Sequence, residues 1–247
     1  YYNKALQLLI DKYGTHENTE IAELYGDMAN VFVDQKEYAK AIDLHQRSHD
    51  LYEQLLRPDH IDIISTYLNF GNHHLREKAL DQAIFYFEKG LKLSQPRTEK
   101  NHQLLAAKFL LLLGATKEEK GKSEEGFGYL KKAQEILEAL YPHDHPTKKD
   151  VYLALGKHSS ENGEYEMALE HYQQAINCLM PDLNHQNLFD NPAIAQIILS
   201  EDFISVLRQK ARTLERWGRA TKHDSLILNS ALDTYCLLYT SDAADDL

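Results

Sequence analysis

The sequence predicts an all-α fold, a solenoid of antiparallel helix pairs, and three observations predict it. Ala41, Ala83, Gly126 and Ala168 are separated by steps of 42, 43 and 42 residues. Ala29, Gly71, Gly114 and Gly156 keep the same steps, and a large residue lies four places before each: Tyr25, Tyr67, Leu110 or Tyr152. A spacing of four places two residues on one stripe of a helix, and self-similarity at a fixed step signals stacked supersecondary units. The third observation is compositional. Six prolines and eleven glycines in 247 residues leave little for linkers, and 43% hydrophobic residues supply a core. A single pair is too thin to bury its own apolar face, so stacking must supply the stability, at about 25 cal/mol per Å² of apolar surface buried.

The best-preserved unit is Val151–Leu179. Tyr152, Leu155 and Gly156 share one face of a first helix. Ala168, Tyr172 and Ala175 share a face of the second, and Glu161-Asn162-Gly163 forms the turn between them. From the N-terminus, Tyr1–Tyr13 reads as the second helix of a pair, with Tyr2 and Ala5 at its packing positions and a turn over Gly14–Thr19. Repeats follow at about 20–56 (with Lys36-Glu37 near the turn), 61–93, 101–140 (turning at Gly121) and 147–179, so that the array occupies 1–180. Arg57-Pro58-Asp59, Ser94-Gln95-Pro96-Arg97 and Tyr141–Pro146 break the chain between them. The period fails across an insertion loop at 181–200. Helical spacing resumes in a degenerate fifth pair at 201–235: Phe203, Val206, Leu207, Ala211 and Leu214 on one side, a turn at Gly218, and a second helix over Leu226–Leu238 with Ala231 as its small residue.

A net charge of −11 disfavours nucleic acid and suits a basic or neutral protein partner, or solubility alone. Two cysteines, Cys178 and Cys236, make neither a metal site nor a disulfide framework, which points to a reducing, cytoplasmic setting. The longest apolar run, Phe109–Leu113, is far too short to span a bilayer. No signal peptide is visible, and a start on Tyr1-Tyr2 rather than Met reads as a fragment.

Candidate chemistry is sparse. Gly121-Lys122-Ser123 ends like a phosphate-binding loop, but Thr116 stands where its first glycine is needed and the upstream segment reads as helix. His45 and His49 lie at i, i+4, and His143 and His145 flank Asp144, yet spacing fixes no third ligand. Packing or turn roles account for these histidines better. With neither HExxH nor GxSxG present, the expectation is no enzyme, no metal and no cofactor.

A step near 42 residues, longer than the usual one of about 34, resembles the tetratricopeptide repeats of kinesin light chains and of bacterial signalling scaffolds. The resemblance includes a Pro-Asp-His-Pro-like turn between repeats. It survives as Arg57-Pro58-Asp59-His60 and His143-Asp144-His145-Pro146, with Thr15-His16 a weaker echo, whereas Gln95-Pro96-Arg97 departs from it. The resemblance implies a right-handed superhelical solenoid whose first helices line a concave groove. In register, Asn30, Val33, Asp34, Leu68, Asn72, Arg76, Leu111, Glu118, Leu153, Lys157 and Glu161 then face it. Asn30 and Asn72 are equivalent; such a pair either holds an extended peptide backbone or bonds the neighbouring helix. Ala115 and Lys157 interrupt this ladder, and Gly26 stands where a carboxylate-clamp lysine would be. The implied function is a scaffold that binds a peptide or protein segment.

Around the insertion, Asp190-Asn191-Pro192, Leu207-Arg208-Gln209-Lys210-Ala211 and Ala231-Leu232-Asp233-Thr234-Tyr235 resemble the end of the repeat region in bacterial proteins carrying a caspase-like CHAT protease domain. That resemblance implies a regulatory or sensor region whose partner is a downstream catalytic domain. Arg208, Lys210, Arg212, Arg216, Arg219 and Lys222 against Glu215 give a local charge of +5. Such a face is either simply solvated or docks an acidic partner, an adjoining domain or, least well, nucleic acid. The tail 236–247 resembles translated sequencing adaptor, and reads as a non-native extension.

Overall fold

The structure, a computed structural model, describes residues 1–180, 188–189, 191, 200–221 and 224–242. Most of the insertion at 181–200, as well as Lys222, therefore lies outside the described residues. The fold is all-α. Eleven helices occur among the described residues: α1 (Tyr2–Tyr13), α2 (Thr19–Asp34), α3 (Tyr38–Leu55), α4 (Ile61–Arg76), α5 (Leu80–Ser94), α6 (Lys100–Glu119), α7 (Ser123–Leu140), α8 (Lys149–Glu161), α9 (Tyr165–Leu179), α10 (Glu201–Ala220) and α11 (Ser225–Asp242). Two compact units share them. Tyr1–Lys122 holds α1 to α6, and Ser123–Leu247 holds α7 to α11.

Local chemistry sets the helix starts. Asn18 accepts from the Glu20 amide at 2.8 Å, His60 from the Asp62 amide at 3.3 Å and His145 from the Thr147 amide at 3.2 Å. Each satisfies a donor that the first helical turn leaves over. In the weak echo of the inter-repeat turn the capping side chain is thus Asn18, while His16 is exposed. The turns inside the pairs recur at the repeat's own step. Lys36 (φ 62°), Lys78 (φ 61°), Gly121 (φ 79°) and Gly163 (φ 79°) all adopt the left-handed conformation. After each, an amide reaches back to the helix end: Glu37 to Phe32 at 2.8 Å, and Ala79 to His74, Lys122 to Lys117 and Glu164 to Ser159, each at 2.9 Å. These are Schellman closures, which satisfy the last carbonyls of the first helix.

Packing explains the small residues. In the first unit a Cβ on Gly71 of α4 would lie 2.2 Å from Phe87 of α5, and one on Gly90 of α5 would lie 2.0 Å from Phe109 of α6. A ring therefore sits against bare backbone both within a pair and between successive pairs. In the second unit a Cβ on Gly156 would lie 2.5 Å from Tyr172, inside a core that also takes Ala168, Ile176, Phe203, Leu207 and Ala231.

Three expectations need correction. Tyr2 is exposed although it shares the stripe of half-buried Ala5, Leu6, Leu9 and Tyr13, because it stands at the first position of α1, one turn before the first of these. Gly218 makes no turn: α10 continues to Ala220, and Gly218 lies buried in the helix, where a Cβ would come within 2.6 Å of Leu228. Finally, α11 runs past its expected end at Leu238 to Asp242, and Leu238 itself is buried in the core.

Candidate functional site

In the first unit the residues expected on the first-helix face lie along α2, α4 and α6. Asn30 and Asp34 are exposed on α2, and Val33 is half-buried against the cluster of Ala29, Ala41 and Leu44. On α4, Leu68 and Asn72 are half-buried, and the exposed Arg76 lays its guanidinium over the Tyr38 ring at 5.3 Å. Leu111 and Glu118 are half-buried on α6. Among the described residues neither Asn30 nor Asn72 spends its side-chain amide on a hydrogen bond. Beneath this face the seam of α3 and α4 is polar. Buried His45 and His73 share a hydrogen bond, Nδ1 to Nε2, of 2.9 Å, and His49 Nδ1 meets the Thr66 hydroxyl at 2.7 Å. Burial, with the nearby His73 and Arg76, pushes His45 down to about 4. Burial also lowers His73 and His49, although Glu53 opposes the shift at His49.

In the second unit Leu153 is half-buried against the core, while Lys157 and Glu161 are exposed on α8 and face each other at 3.9 Å. The structure extends this row onto α10, which sequence reasoning did not do. Buried Val151, Tyr152, Leu155, Gly156, His158 and Ser159 on α8 correspond, 55 residues on, to buried Val206, Leu207, Lys210, Ala211, Thr213 and Leu214 on α10. The outward positions of Leu153, Lys157 and Glu161 are then taken by Arg208, Arg212 and Arg216, all exposed. The available signal was Leu207 with Ala211, a repetition of Tyr152 with Gly156 hidden by the added length of the insertion.

The basic patch on α10 also changes. Lys210 is fully buried in the position of a core leucine, and its ammonium donates to Gln173 Oε1 at 3.4 Å. Arg219 is held by Glu215, which also accepts from the Tyr235 hydroxyl at 3.0 Å. Nearby, an open depression of about 440 Å³ is lined by Glu164, Tyr165, Glu166, Met167, Glu170 and Trp217. Tyr165 and Phe189 stack on Trp217 at 6.3 and 6.0 Å, so the indole is a wall rather than a free platform. Burial raises the Cys178 thiol, making it a poor nucleophile. Among the described residues, no group of three or more His, Cys, Asp or Glu is placed to hold a metal ion, and no helix is long and apolar enough to cross a membrane.

The repeat step, the left-handed turns at that step and the ring-on-glycine seams together define the unit. The sequence model described as tetratricopeptide repeat matches residues 20–95 and 105–179, more than half of the chain. This chain belongs to the tetratricopeptide repeat family. Among solved structures, the tetratricopeptide chain is similar to BtubC (BKLC) from P. vanneervenii, with a TM-score of 0.69, 16% identity, and coverage of 98% of this chain and 87% of that one. It is also similar to a putative kinesin light chain with nearly identical repeats from Podospora anserina, with a TM-score of 0.65, 12% identity, and coverage of 93% and 98%. A signal transduction ATPase (STAND) protein with a tetratricopeptide repeat sensor, from Pyrococcus horikoshii, matches at a TM-score of 0.59 and 18% identity, over 99% of this chain and 36% of that one. None of the curated protein sequences compared matches the chain. At these identities the similarities establish the fold alone. The tetratricopeptide repeat is in general a protein–protein interaction module.

Proposed function

We propose that this chain is an interaction scaffold that binds a peptide or protein segment on the first-helix face of its repeats. The observation that carries the reading is the pair Asn30 and Asn72. They occupy equivalent positions on successive first helices, and their amides have no partner among the described residues. A side-chain amide offers one acceptor and two donors, so it can hold the backbone of an extended segment as a sheet edge would. Asp34, Leu68, Arg76, Leu111, Leu153, Lys157 and Glu161 add charge and apolar contact along the same faces. Replacing both Asn30 and Asn72 by Ala should reduce capture of a partner from cell extract about tenfold, with the thermal midpoint unchanged. Undiminished capture would place the site elsewhere.

A second reading is that the chain is the regulatory or sensor part of a larger CHAT-type peptidase. The hydrogen bond from Asn191 Nδ2 to Thr234 Oγ1, 3.0 Å long, favours it, because it joins two of the three stretches on which that resemblance rests. The similar protein from Pyrococcus horikoshii is itself described as carrying a tetratricopeptide repeat sensor. Sequencing the gene downstream decides this reading. An α/β domain with a His/Cys pair supports it, and an unrelated continuation removes it.

A further inference from the structure

On α10, Arg208, Arg212 and Arg216 recur every four residues and are exposed on one face. At 3.6 residues per turn the three fall within an arc of about 80° and span about 12 Å. Like charges at i, i+4 destabilise a helix, so this stripe does not help α10 to fold. Three carboxylates on α8 and α10 are committed elsewhere: Asp202 to Lys149 at 2.6 Å, Glu161 to Lys157 at 3.9 Å, and Glu215 to Arg219 and Tyr235. Among the described residues no carboxylate forms an ion pair with Arg208, Arg212 or Arg216. These arginines stand where α8 carries Leu153, Lys157 and Glu161, on the face along which the proposed function places a ligand.

We propose that the Arg208–Arg212–Arg216 face of α10 docks an extended acidic segment of a partner protein; the proposal rests on the scaffold reading above. A guanidinium fork donates two parallel N–H bonds to one carboxylate, which a lysine ammonium does not. Arginines one helical turn apart are about 6 Å from each other, close to the roughly 6.7 Å between alternate side chains of an extended chain. The stripe therefore fits Asp or Glu at alternate positions. A net charge of −11 on the chain repels any polyanion at longer range, a long nucleic acid more than a short acidic segment, and leaves the stripe a local cationic island.

The test is fluorescence anisotropy on the full chain with a labelled Glu-Ser-Glu-Ser-Glu-Ser peptide, its Gln-Ser counterpart, and a labelled single-stranded oligonucleotide. The acidic peptide should bind with an affinity that falls as salt rises, and the Gln-Ser peptide should not. Arg208→Gln with Arg212→Gln and Arg216→Gln should weaken binding at least about tenfold, with the thermal midpoint held or raised. Arg212→Lys should give an intermediate loss. Tighter binding of the oligonucleotide, or peptide binding indifferent to the arginine variants, overturns the proposal. No binding of the acidic peptide, while a partner is still captured in a manner sensitive to Asn30 and Asn72, overturns it and leaves the scaffold reading intact. Loss of the asparagine-sensitive capture alone counts against the scaffold reading.

Discussion

The small position of the first helix is Ala29 in the α2/α3 pair and Gly156 in the α8/α9 pair. Four residues beyond the small residue of the second helix, α3 carries His45 and α9 carries Tyr172. The turn residue is Lys36 in one and Gly163 in the other, both left-handed. One layout thus holds two chemistries. In α8/α9 the tyrosine ring fills the space that a Cβ on Gly156 would take, and the seam is close-packed. In α3 a buried imidazole replaces the ring and must find a polar partner, which His73 of α4 supplies. The step of 42–43 residues constrains backbone placement and side-chain volume; it leaves polarity free.

The largest expected effect sharpens the close-packed half of this contrast. Gly156→Leu should cost about 3 kcal/mol, because Tyr172 cannot move without disturbing the core behind it. Gly128→Ala, an exposed site on α7 where a Cβ meets nothing within 4 Å, should instead gain about 0.5–1 kcal/mol. Urea denaturation followed by circular dichroism measures both, and equal costs would break the comparison.

The next effect belongs to the polar half. A histidine lowered from 6.5 to about 4 in the fold is protonated more readily in the unfolded chain, so its contribution is complete above pH 6.5 and is lost as pH falls towards 4. Going from pH 7 to 4.5 should therefore destabilise the first unit through His45 by on the order of 2 kcal/mol. His45→Phe, which restores the aromatic character that Phe87 has at the equivalent position, should flatten that dependence. An identical pH profile for the variant would show that the His45–His73 seam is not its source.

The smallest effect concerns the turns. Lys36→Gly and Lys78→Gly should each stabilise by up to about 1 kcal/mol by relieving a left-handed lysine, while Gly163→Ala should cost a similar amount. Thermal melts of the three variants check the signs. A loss at Lys78→Gly would show that its ion pair with Glu119, at 3.2 Å, outweighs the backbone term.

Within these comparisons, the periodic features were legible from residues alone. Gly71 and Gly156 stood out by spacing, and Gly163 announced its turn. The expectation at Gly218 failed because the same residue type serves two ends: left-handed backbone at Gly163, and close approach to Leu228 at Gly218. Lys210 and the arginine stripe were unreadable for a related reason. Six basic residues near one another in sequence say nothing of which ammonium faces Gln173 in the core and which guanidiniums face solvent until the register of α10 against α9 is known.

The sequence by itself determined the all-α repeat architecture, because helix period and stacking volume are short-range constraints that each residue either meets or violates. Only the tertiary structure decided that His45 meets His73, that Asn191 reaches Thr234 and that Arg208, Arg212 and Arg216 continue the face of α8. Those pairings lie 28, 43 and about 55 residues apart. Polar recognition over such separations depends on where whole helices come to rest, which the local pattern of apolar and small residues does not encode.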